Sequence, residues 1–383
     1  MTDKSIVFVI NCLEIGGAEI QVTRLAQGMI RRGYRVAVVS MLKPGPLAEP
    51  LTAMGAEVHT LGMRAGVPNP LAILRLRRIL RQFRPHIVHS HIVHANLLSR
   101  ITRLVAPIPV LVCTAHNLCE GGRILELSYR YTDALADLTT NVSQAAVDRY
   151  ISVGAAPANR IRFVPNGLDL RGFVPDAAMR AQLRNELGLG DAFVWLAVGR
   201  FREQKDYPNL LRAFATLDAQ HASVANMLVI AGSGDREPEA KHLSVSLNVT
   251  SRVRFLGMRS DIPALMNMAD AFVLSSAWEG MPLVLQEASA SSLPIVATDV
   301  GGCREVAIDG VNAFLAPPQD PQALASAMRK LLALAPADHQ RMGRAGRNQV
   351  VSNYDMEHVL DRWESIYAEL TDGRATVPAM NSI

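Results

Sequence analysis

The sequence predicts an α/β protein with two Rossmann-like domains in series. Three observations predict it. Short β-branched runs alternate with amphipathic stretches through the first 160 residues, which is the βαβ rhythm of a parallel sheet covered on both faces. The rhythm pauses at residues 162–175, RFVPNGLDLRGFVP, where two prolines and two glycines mark a connection. It then restarts with the same alternation, and 383 residues at roughly 150 per domain leave room for both units.

In the first half the strands are read at SIVFVIN, YRVAVVS, AEVHTL, HIVHS, PVLVCTA and LTTNV, each a short run dominated by β-branched or apolar residues. Between them EIQVTRLAQGMIRR, NPLAILRLRRILRQF, ANLLSRITRL and GRILELSYRYTDALAD repeat apolar residues at helical spacing. The second half reads FVWLAVGR, NMLVIAGSG, RVRFLGM, AFVLSS, LPIVATD and NAFLAPP as strands, again interleaved with helical patterns. A last helix, DMEHVLDRWESIYAELT, places Val359, Trp363, Ile366 and Tyr367 on one face. The expected domains are 1–167 and 168–354, followed by the helix at 355–371 and a loose tail at 372–383. Strands that end in polar or glycine-bearing turns gather functional groups at the carboxyl edge of a parallel sheet.

Composition excludes several classes. At 49% hydrophobic and 19% charged residues the chain is neither disordered, collagenous nor a coiled coil. Its longest apolar runs fall short of the ~18 residues of a membrane-spanning helix. MTDKSIVFVIN lacks a small-residue cleavage pattern behind it, so it reads as a first strand rather than a signal peptide, and the expected location is cytoplasmic. Cys12, Cys113, Cys119 and Cys303 form no CxxC pair and have no histidine at zinc-finger spacing, which argues against a disulfide framework and a structural metal. The sequons at Asn141 and Asn248 are then chance matches.

Positive charge is concentrated in the first 170 residues, whereas the remainder is net acidic. The excess peaks at LAILRLRRILRQFRP, where Arg75, Arg77, Arg78, Arg81 and Arg84 interleave with Leu71, Leu74, Leu76, Ile79, Leu80 and Phe83. Such a helix can lie on an anionic membrane surface, or can be an ordinary surface helix packed on its own sheet. Nucleic acid is not expected as a partner, because no binding motif and no interleaved aromatics accompany the charge.

The densest chemistry lies in SSAWEGMPLVLQEASASSLPIVATDVGG. Glu279 sits in a loop after a strand, and Glu287 stands eight residues on, inside the next helix. Between them Gly280, Met281, Pro282 and Leu283 form a loop-to-helix junction whose unpaired backbone N–H groups suit an anion or sugar hydroxyls. Arg200 ends a strand and Lys205 follows near the start of a helix, so the two cations can converge at the strand edge and neutralise a diphosphate. The plainer reading is a surface Arg and Lys.

This segment resembles the signature of the family 4 retaining glycosyltransferases, enzymes of the GT-B fold that use nucleotide sugars. The resemblance extends over nearly the whole chain through Gly16-Gly17-Ala18-Glu19, His89-Ser90-His91, Thr114-Ala115-His116, Val164-Pro165-Asn166-Gly167-Leu168-Asp169, Val198-Gly199-Arg200 with Lys205, and Phe255-Leu256-Gly257. It implies two domains facing across a cleft, with the last helix crossing back to the first domain. By the same resemblance Arg200 and Lys205 contact the donor diphosphate, Glu287 the ribose, and Glu279 and His116 the donor sugar. Gly16 and Gly17 let the first loop approach the donor, base choice depends on the surroundings of Met258, and sugar choice on loops around Met281.

The implied reaction transfers a hexose or N-acetylhexosamine from a nucleotide diphosphate sugar, UDP by preference, to a growing bacterial surface glycan such as lipopolysaccharide or a lipid-linked saccharide. The protein would act in the cytoplasm and as a peripheral protein at the inner membrane. Same-face attack and a covalent carboxylate intermediate both remain open as routes to retention. No cofactor and no metal are expected. His86, His89, His91 and His94 invite a metal reading, yet only 89 and 91 share a strand face, and no carboxylate cluster completes a shell.

Three rival functions fit the sequence less well. A nicotinamide oxidoreductase lacks its GxGxxG after the first strand. A nucleotide-sugar epimerase of the same fold is disfavoured by the residues around Glu279. A non-catalytic nucleotide-sugar-binding subunit would be expected to lose Arg200, Lys205 or Glu279, and all three are present.

Overall fold

A computed structural model describes residues 4–119, 121–217 and 225–375. The chain divides into two compact units, the first comprising residues up to Gly167 together with those from Met356 onward, the second Leu168–Asp355.

The first unit contains β1 (Ser5–Ile10), α1 (Gly17–Arg31), β2 (Arg35–Ser40), α2 (Ala48–Ala53), β3 (Glu57–Thr60), α3 (Leu71–Phe83), β4 (Ile87–His91), α4 (Val93–Thr102), β5 (Val110–Ala115), α5 (Gly122–Thr132), β6 (Leu138–Asn141), α6 (Gln144–Ser152) and β7 (Ile161–Phe163). The second contains α7 (Ala177–Glu186), β8 (Phe193–Val198), α8 (Tyr207–Ala215), β9 (Asn226–Ala231), α9 (Glu237–Ser246), β10 (Val253–Phe255), α10 (Ile262–Met268), β11 (Ala271–Leu274), α11 (Leu283–Ala290), β12 (Ile295–Thr298), α12 (Cys303–Val306), β13 (Ala313–Ala316), α13 (Pro321–Leu332) and α14 (Pro336–Tyr354). The final helix α15 (Met356–Ala375) returns to the first unit.

The first sheet runs β3-β2-β1-β4-β5-β6-β7 and the second β10-β9-β8-β11-β12-β13. Neighbouring strands in both pair in parallel, with Phe8 opposite Val38 and His89 in the first sheet and Leu196 opposite Val229 and Phe272 in the second. Central strands such as β1 and β9 are buried along their whole length, so their apolar runs are continuous rather than alternating. In the second unit the strand order reverses between β8 and β11, and the loops leaving these two strands therefore meet at the carboxyl edge.

Three elements escaped the sequence reading. β7 occupies the start of the stretch taken as a connection, pairing Arg162 with Thr140. α2 buries only Leu51 and shows no periodicity to read. α6 is a short helix started by Ser143, whose hydroxyl accepts from the Ala146 N–H. At the other end α15 continues to Ala375, beyond the expected stop at 371. Of the expected tail, residues 376–383 lie outside the described residues.

Leu360, Trp363, Ile366 and Tyr367 of α15 join the same buried cluster as Ile6, Phe8, Val22 and Met29. α1 and α15 approach closely at Gly28, where a Cβ would fall 2.4 Å from a Leu360 methyl. Arg32, after α1, reaches Glu357, Asp361 and Glu364 on successive turns of α15. All four cysteines are free thiols.

Candidate active site

In the second unit the β8 and β11 loops are joined by one backbone contact and one hydroxyl-to-carbonyl contact. The Ala277 N–H donates to the Gln204 carbonyl at 2.8 Å, and the Ser275 hydroxyl donates to the Lys205 carbonyl at 2.8 Å. Lys205 lies near the start of a helix, as expected: it ends a short 3₁₀ turn, Glu203–Lys205, and α8 begins at Tyr207. The Tyr207 hydroxyl donates to the Gly199 carbonyl at 2.8 Å and holds the loop against the end of β8.

These contacts bring Lys205 Nζ to 2.5 Å from Glu279 Oε1. The same oxygen accepts from the Ser276 hydroxyl at 2.7 Å, while Oε2 accepts from Gln204 Nε2 at 3.3 Å. Glu279 is buried, and three donors hold its carboxylate. Its charge registers on its neighbours: burial first, and then Glu279, push the Tyr207 phenol and the Cys303 thiol above their ordinary ranges. The main chain of Glu279 is held as closely. Gly301 adopts φ +52°, and a Cβ there would lie 1.9 Å from the Glu279 carbonyl oxygen, while the Gly302 N–H donates to the Gly280 carbonyl. The Val-Gly-Gly after β12 is therefore part of the site's scaffold.

The structure amends the expectation of two bare cations at one point. Lys205 is committed to Glu279, whereas Arg200, half-buried, takes part in no ion pair among the described residues. The junction Gly280, Met281, Pro282 and Leu283 is buried, Pro282 is extended, and no side chain caps α11. The Met281 sulfur accepts from Gln286 Nε2, so its side chain turns into the unit, and what this position offers a sugar is main chain, not side chain. Glu287 lies half-buried on α11. Met258, 70% exposed, follows Gly257, whose carbonyl accepts from the Gly232 N–H and ties the β9 and β10 loops together.

A cavity of about 210 Å³ beside this edge is lined by Phe201, Arg202, Asp206, Tyr207 and Arg236. Arg200, Lys205 and Glu279 do not line it, so it is distinct from the charged cluster.

In the first unit Gly16 precedes α1 with φ −162°, an extended conformation open to any residue, and Gly17 is the first residue of the helix. Backbone conformation therefore does not require glycine at position 16. His116, past the end of β5, is buried, and its Nε2 lies 3.0 Å from His91 Nδ1. Burial lowers its pKa to about 4, which keeps the imidazole neutral at physiological pH and suits hydrogen bonding rather than proton donation. His89 bonds the Tyr367 hydroxyl through Nδ1 and Thr114 through Nε2, both at 2.7 Å, and Thr114 continues to Thr140. The rings of His89 and His91 lie 4.0 Å apart on their shared face. His86 bonds Ser5, and His94 bonds Asn11. Among the described residues no group of His, Cys, Asp and Glu could hold a metal ion.

The arginine-rich helix α3 buries Ala72, Leu76, Leu80 and Phe83. Leu71 and Leu74, read from the sequence as part of the apolar pattern, point outward beside the exposed Arg78 and Arg81. Arg75 is tied to the Leu61 carbonyl and Arg77 is half-buried. Arg84 stands past the helix end in a left-handed cap, so it does not extend a face made by Arg77 and Arg81.

Ser276 and Gln204 were missed in the sequence. A hydroxyl three residues before the loop carboxylate was the available signal for Ser276; Gln204 had none, because its role depends on the docking of the β8 loop.

The description "Glycosyltransferase Family 4" matches residues 15–171, and "Glycosyl transferases group 1" matches residues 179–349. An Escherichia coli UDP-Gal:alpha-D-GlcNAc-diphosphoundecaprenol alpha-1,3-galactosyltransferase is 26% identical over 314 residues, which cover 78% of this chain and 79% of that relative. The Anabaena protein HepE, solved in complex with UDP, matches with a TM-score of 0.83 at 22% identity over 95% of this chain and 100% of its own. WaaG, a glycosyltransferase involved in lipopolysaccharide biosynthesis, matches with a TM-score of 0.73 at 18% identity over 94% and 99%. Each unit carries one of the two family matches on one parallel sheet, and the chain belongs to the family 4 glycosyltransferases of GT-B fold.

Proposed function

We propose that the protein moves a hexose or N-acetylhexosamine from a UDP-sugar to a growing bacterial surface glycan, with lipopolysaccharide or a lipid-linked saccharide as acceptor and with retention at the anomeric carbon. The observation that carries this reading is the Lys205–Glu279 pair at the reversal of strand order, with Arg200 just past the end of β8 and an uncapped start to α11. A donor diphosphate placed there draws on Arg200 and Lys205 for charge, and these cations stabilise the leaving nucleoside diphosphate where negative charge builds. Lys205 then exchanges Glu279 for phosphate, and the carboxylate is left to orient sugar hydroxyls and to stabilise an oxocarbenium-like transition state. Glu287 accepts from the ribose hydroxyls, and neutral His116 supplies a hydrogen bond. With the diphosphate met by two cations and helix N–H groups, the reaction needs no divalent ion.

The uridine nucleotide is supported by the UDP in the HepE structure and the UDP-Gal named for the E. coli relative. A lipid-linked or lipopolysaccharide acceptor is supported by that relative's diphosphoundecaprenol substrate and by WaaG. No helix among the described residues is long and apolar enough to cross a membrane. Peripheral docking through Arg78 and Arg81 of α3, with Arg77 at the edge of the same side, would hold the protein beside such an acceptor.

The test is a screen of nucleotide sugars on the purified protein, by binding and by slow donor hydrolysis, with and without EDTA. Product NMR on the selected donor reads the anomeric configuration. An inverted product, turnover abolished by chelation, or preference for a non-uridine donor would each overturn its part of the proposal. Tight donor binding with neither hydrolysis nor transfer would favour a non-catalytic nucleotide-sugar-binding subunit.

A further inference from the structure

Two side-chain pairs join β4 to the β5 segment in the same geometry. The register sets His89 opposite Val112 and His91 opposite Thr114, and each histidine reaches the residue two further along the neighbouring chain. His89 Nε2 bonds Thr114, and one pleat on His91 Nδ1 lies 3.0 Å from His116 Nε2. Residues two apart along a strand share a face, so the second pair repeats the first. Phe8 of β1 lies against both histidine rings of β4, with centroids 5.6 and 5.9 Å away. The main chain holds the arrangement as well. Ile92 takes φ +73°, a left-handed value that a β-branched residue adopts only under strain, and its N–H donates to the Thr114 carbonyl at 3.0 Å. Pairing with β5 therefore continues one residue beyond His91 before the chain turns into α4, and strain of this kind gathers at functional sites.

Proton counting then tells the ring nitrogens apart. Burial, reinforced at His91 by the neighbouring histidines, keeps His91 and His116 neutral at physiological pH, so each ring carries one proton. The bond between them needs one N–H and one bare nitrogen. If His116 Nε2–H donates, His91 must carry its own proton on Nε2, and that atom is buried without a hydrogen-bond partner among the described residues. Buried N–H groups without an acceptor are the rarer defect. If His91 Nδ1–H donates, its unpartnered Nε2 is a bare nitrogen, and the proton of His116 sits on Nδ1. The second assignment strands no donor. His89 does not face this choice, because both its nitrogens meet hydroxyls, which turn to give or to accept.

We infer that His91 is a positioning residue for the transfer reaction: its Nδ1–H donates to His116 Nε2, which fixes the His116 proton on Nδ1 and presents that ring to the donor sugar as a hydrogen-bond donor to one of its oxygens. The inference rests on the reading of His116 as a donor-sugar contact. Of the three histidines His116 alone retains any exposure, whereas His89 and His91 are sealed inside the unit, so His91 acts through its neighbour. The hydrogen bond made by one ring nitrogen decides what the other offers. Without His91 the His116 ring divides between two tautomers and loses the contact that orients it, and a sugar oxygen then meets a bare nitrogen in part of the population.

Nitrogen NMR of the full chain with labelled histidine reads the tautomers directly at neutral pH, because bare and protonated ring nitrogens resonate far apart; His91→Asn and His116→Asn assign the signals. Protons on Nδ1 of both rings are expected. A proton on Nε2 of His116 overturns the inference, and this result does not depend on any apolar variant folding. Kinetics with the donor selected by the nucleotide-sugar screen test the consequence. His91→Leu should lower kcat at least about tenfold with the Kd for UDP unchanged. His91→Asn, whose amide N–H stands in for Nδ1–H, should recover most of that loss. His91→Leu/His116→Asn should be no slower than His116→Asn alone, because a residue that acts through another has nothing left to position. Additive losses, or an asparagine variant as slow as the leucine one, assign His91 to packing and overturn the inference. If His116→Asn lowers kcat while His91→Leu matches wild type, the inference falls and the reading of His116 stands. If His116→Asn matches wild type, that reading falls and takes the inference with it.

Discussion

Lys205 Nζ stands 2.5 Å from Glu279 Oε1, so the cation expected at the donor diphosphate and the carboxylate expected at the donor sugar form one ion pair, in which Glu279 is buried and Lys205 half-buried. Breaking such a pair costs more than the pair is worth, because the buried survivor keeps its charge without compensation; about 3–5 kcal/mol is typical where both partners are buried. Lys205→Ala should therefore destabilise the protein as well as lower kcat/KM by about two or more orders of magnitude. In Lys205→Ala/Glu279→Gln stability should recover while turnover stays lost. Thermal unfolding and donor-turnover kinetics on the single and double variants check this. Unchanged turnover in both single variants would place the active site elsewhere.

Arg200 and Glu287 should separate chemistry from binding. Arg200→Ala removes a cation with no partner to strand among the described residues, so the expected loss is in turnover, about a hundredfold or more in kcat/KM, with little change in stability. Glu287→Ala should mainly raise the Kd for UDP. Calorimetric titration of UDP alongside kinetics distinguishes the two, and a Glu287 variant with unchanged UDP affinity would remove it from the ribose site.

Ser276 is a positioning residue, because its hydroxyl donates to the same Glu279 oxygen as Lys205 at 2.7 Å. A hydrogen bond to a charged group is worth about 1.5–3 kcal/mol. Ser276→Ala should lower kcat about tenfold or more while leaving UDP affinity unchanged, and Ser276→Thr should restore part of it. A loss of UDP affinity equal to the loss of kcat would indicate collapse of the loop instead.

The parallel sheets and the chemical cluster were legible in the sequence for different reasons. Strands such as Ser5–Ile10 and Asn226–Ala231 are buried on both faces, and continuous apolar runs bounded by polar turns leave little choice. Glu279, Arg200 and Lys205 were visible because their types and spacing are unusual. Legibility ended where a residue's role depends on a partner distant in the chain. Nothing in the sequence places Gln204 against Glu279, or His91 against His116. Nothing announces that Ile92 adopts φ +73°, a strained conformation for a β-branched residue, where β4 turns into α4. Periodicity also misjudged α3, since it located an apolar stripe without deciding that Leu71 and Leu74 lie outside it.

The histidine cluster predicts acid sensitivity. Burial holds His89 and His91 well below the ordinary imidazole range and His116 at about 4; neighbouring histidine charge adds to the effect at His89 and His91. A base whose folded pKa is depressed binds fewer protons folded than unfolded, so its stability contribution is present above the unfolded value near 6.5 and is lost as pH falls toward the folded one. For His116 the window runs from about 6.5 to about 4, and the contribution at stake is about 3 kcal/mol. Unfolding measured across that range should show steep loss for wild type and a shallower slope for His116→Asn. Parallel curves would show that His116 is not titrating in this way.

Gly28 decides how closely the last helix can dock. A Cβ there would lie 2.4 and 2.6 Å from the two Leu360 methyls, a separation side chains do not tolerate, although a flexible leucine can yield part of it. The α1–α15 contact is backed by Trp363 and Tyr367 in the buried cluster and by Arg32 at its rim, so α15 cannot retreat without opening that cluster. Gly28→Ala should therefore cost about 1–3 kcal/mol through overpacking, despite alanine's better helix propensity. Leu360→Ala alone should also destabilise, by leaving a cavity. Combined, they are expected to fall well short of the sum, because the new methyl occupies space the leucine vacates. Denaturant unfolding of the two single variants and the double measures this coupling. Strict additivity would mean that α15 shifts away from α1 instead of packing against it.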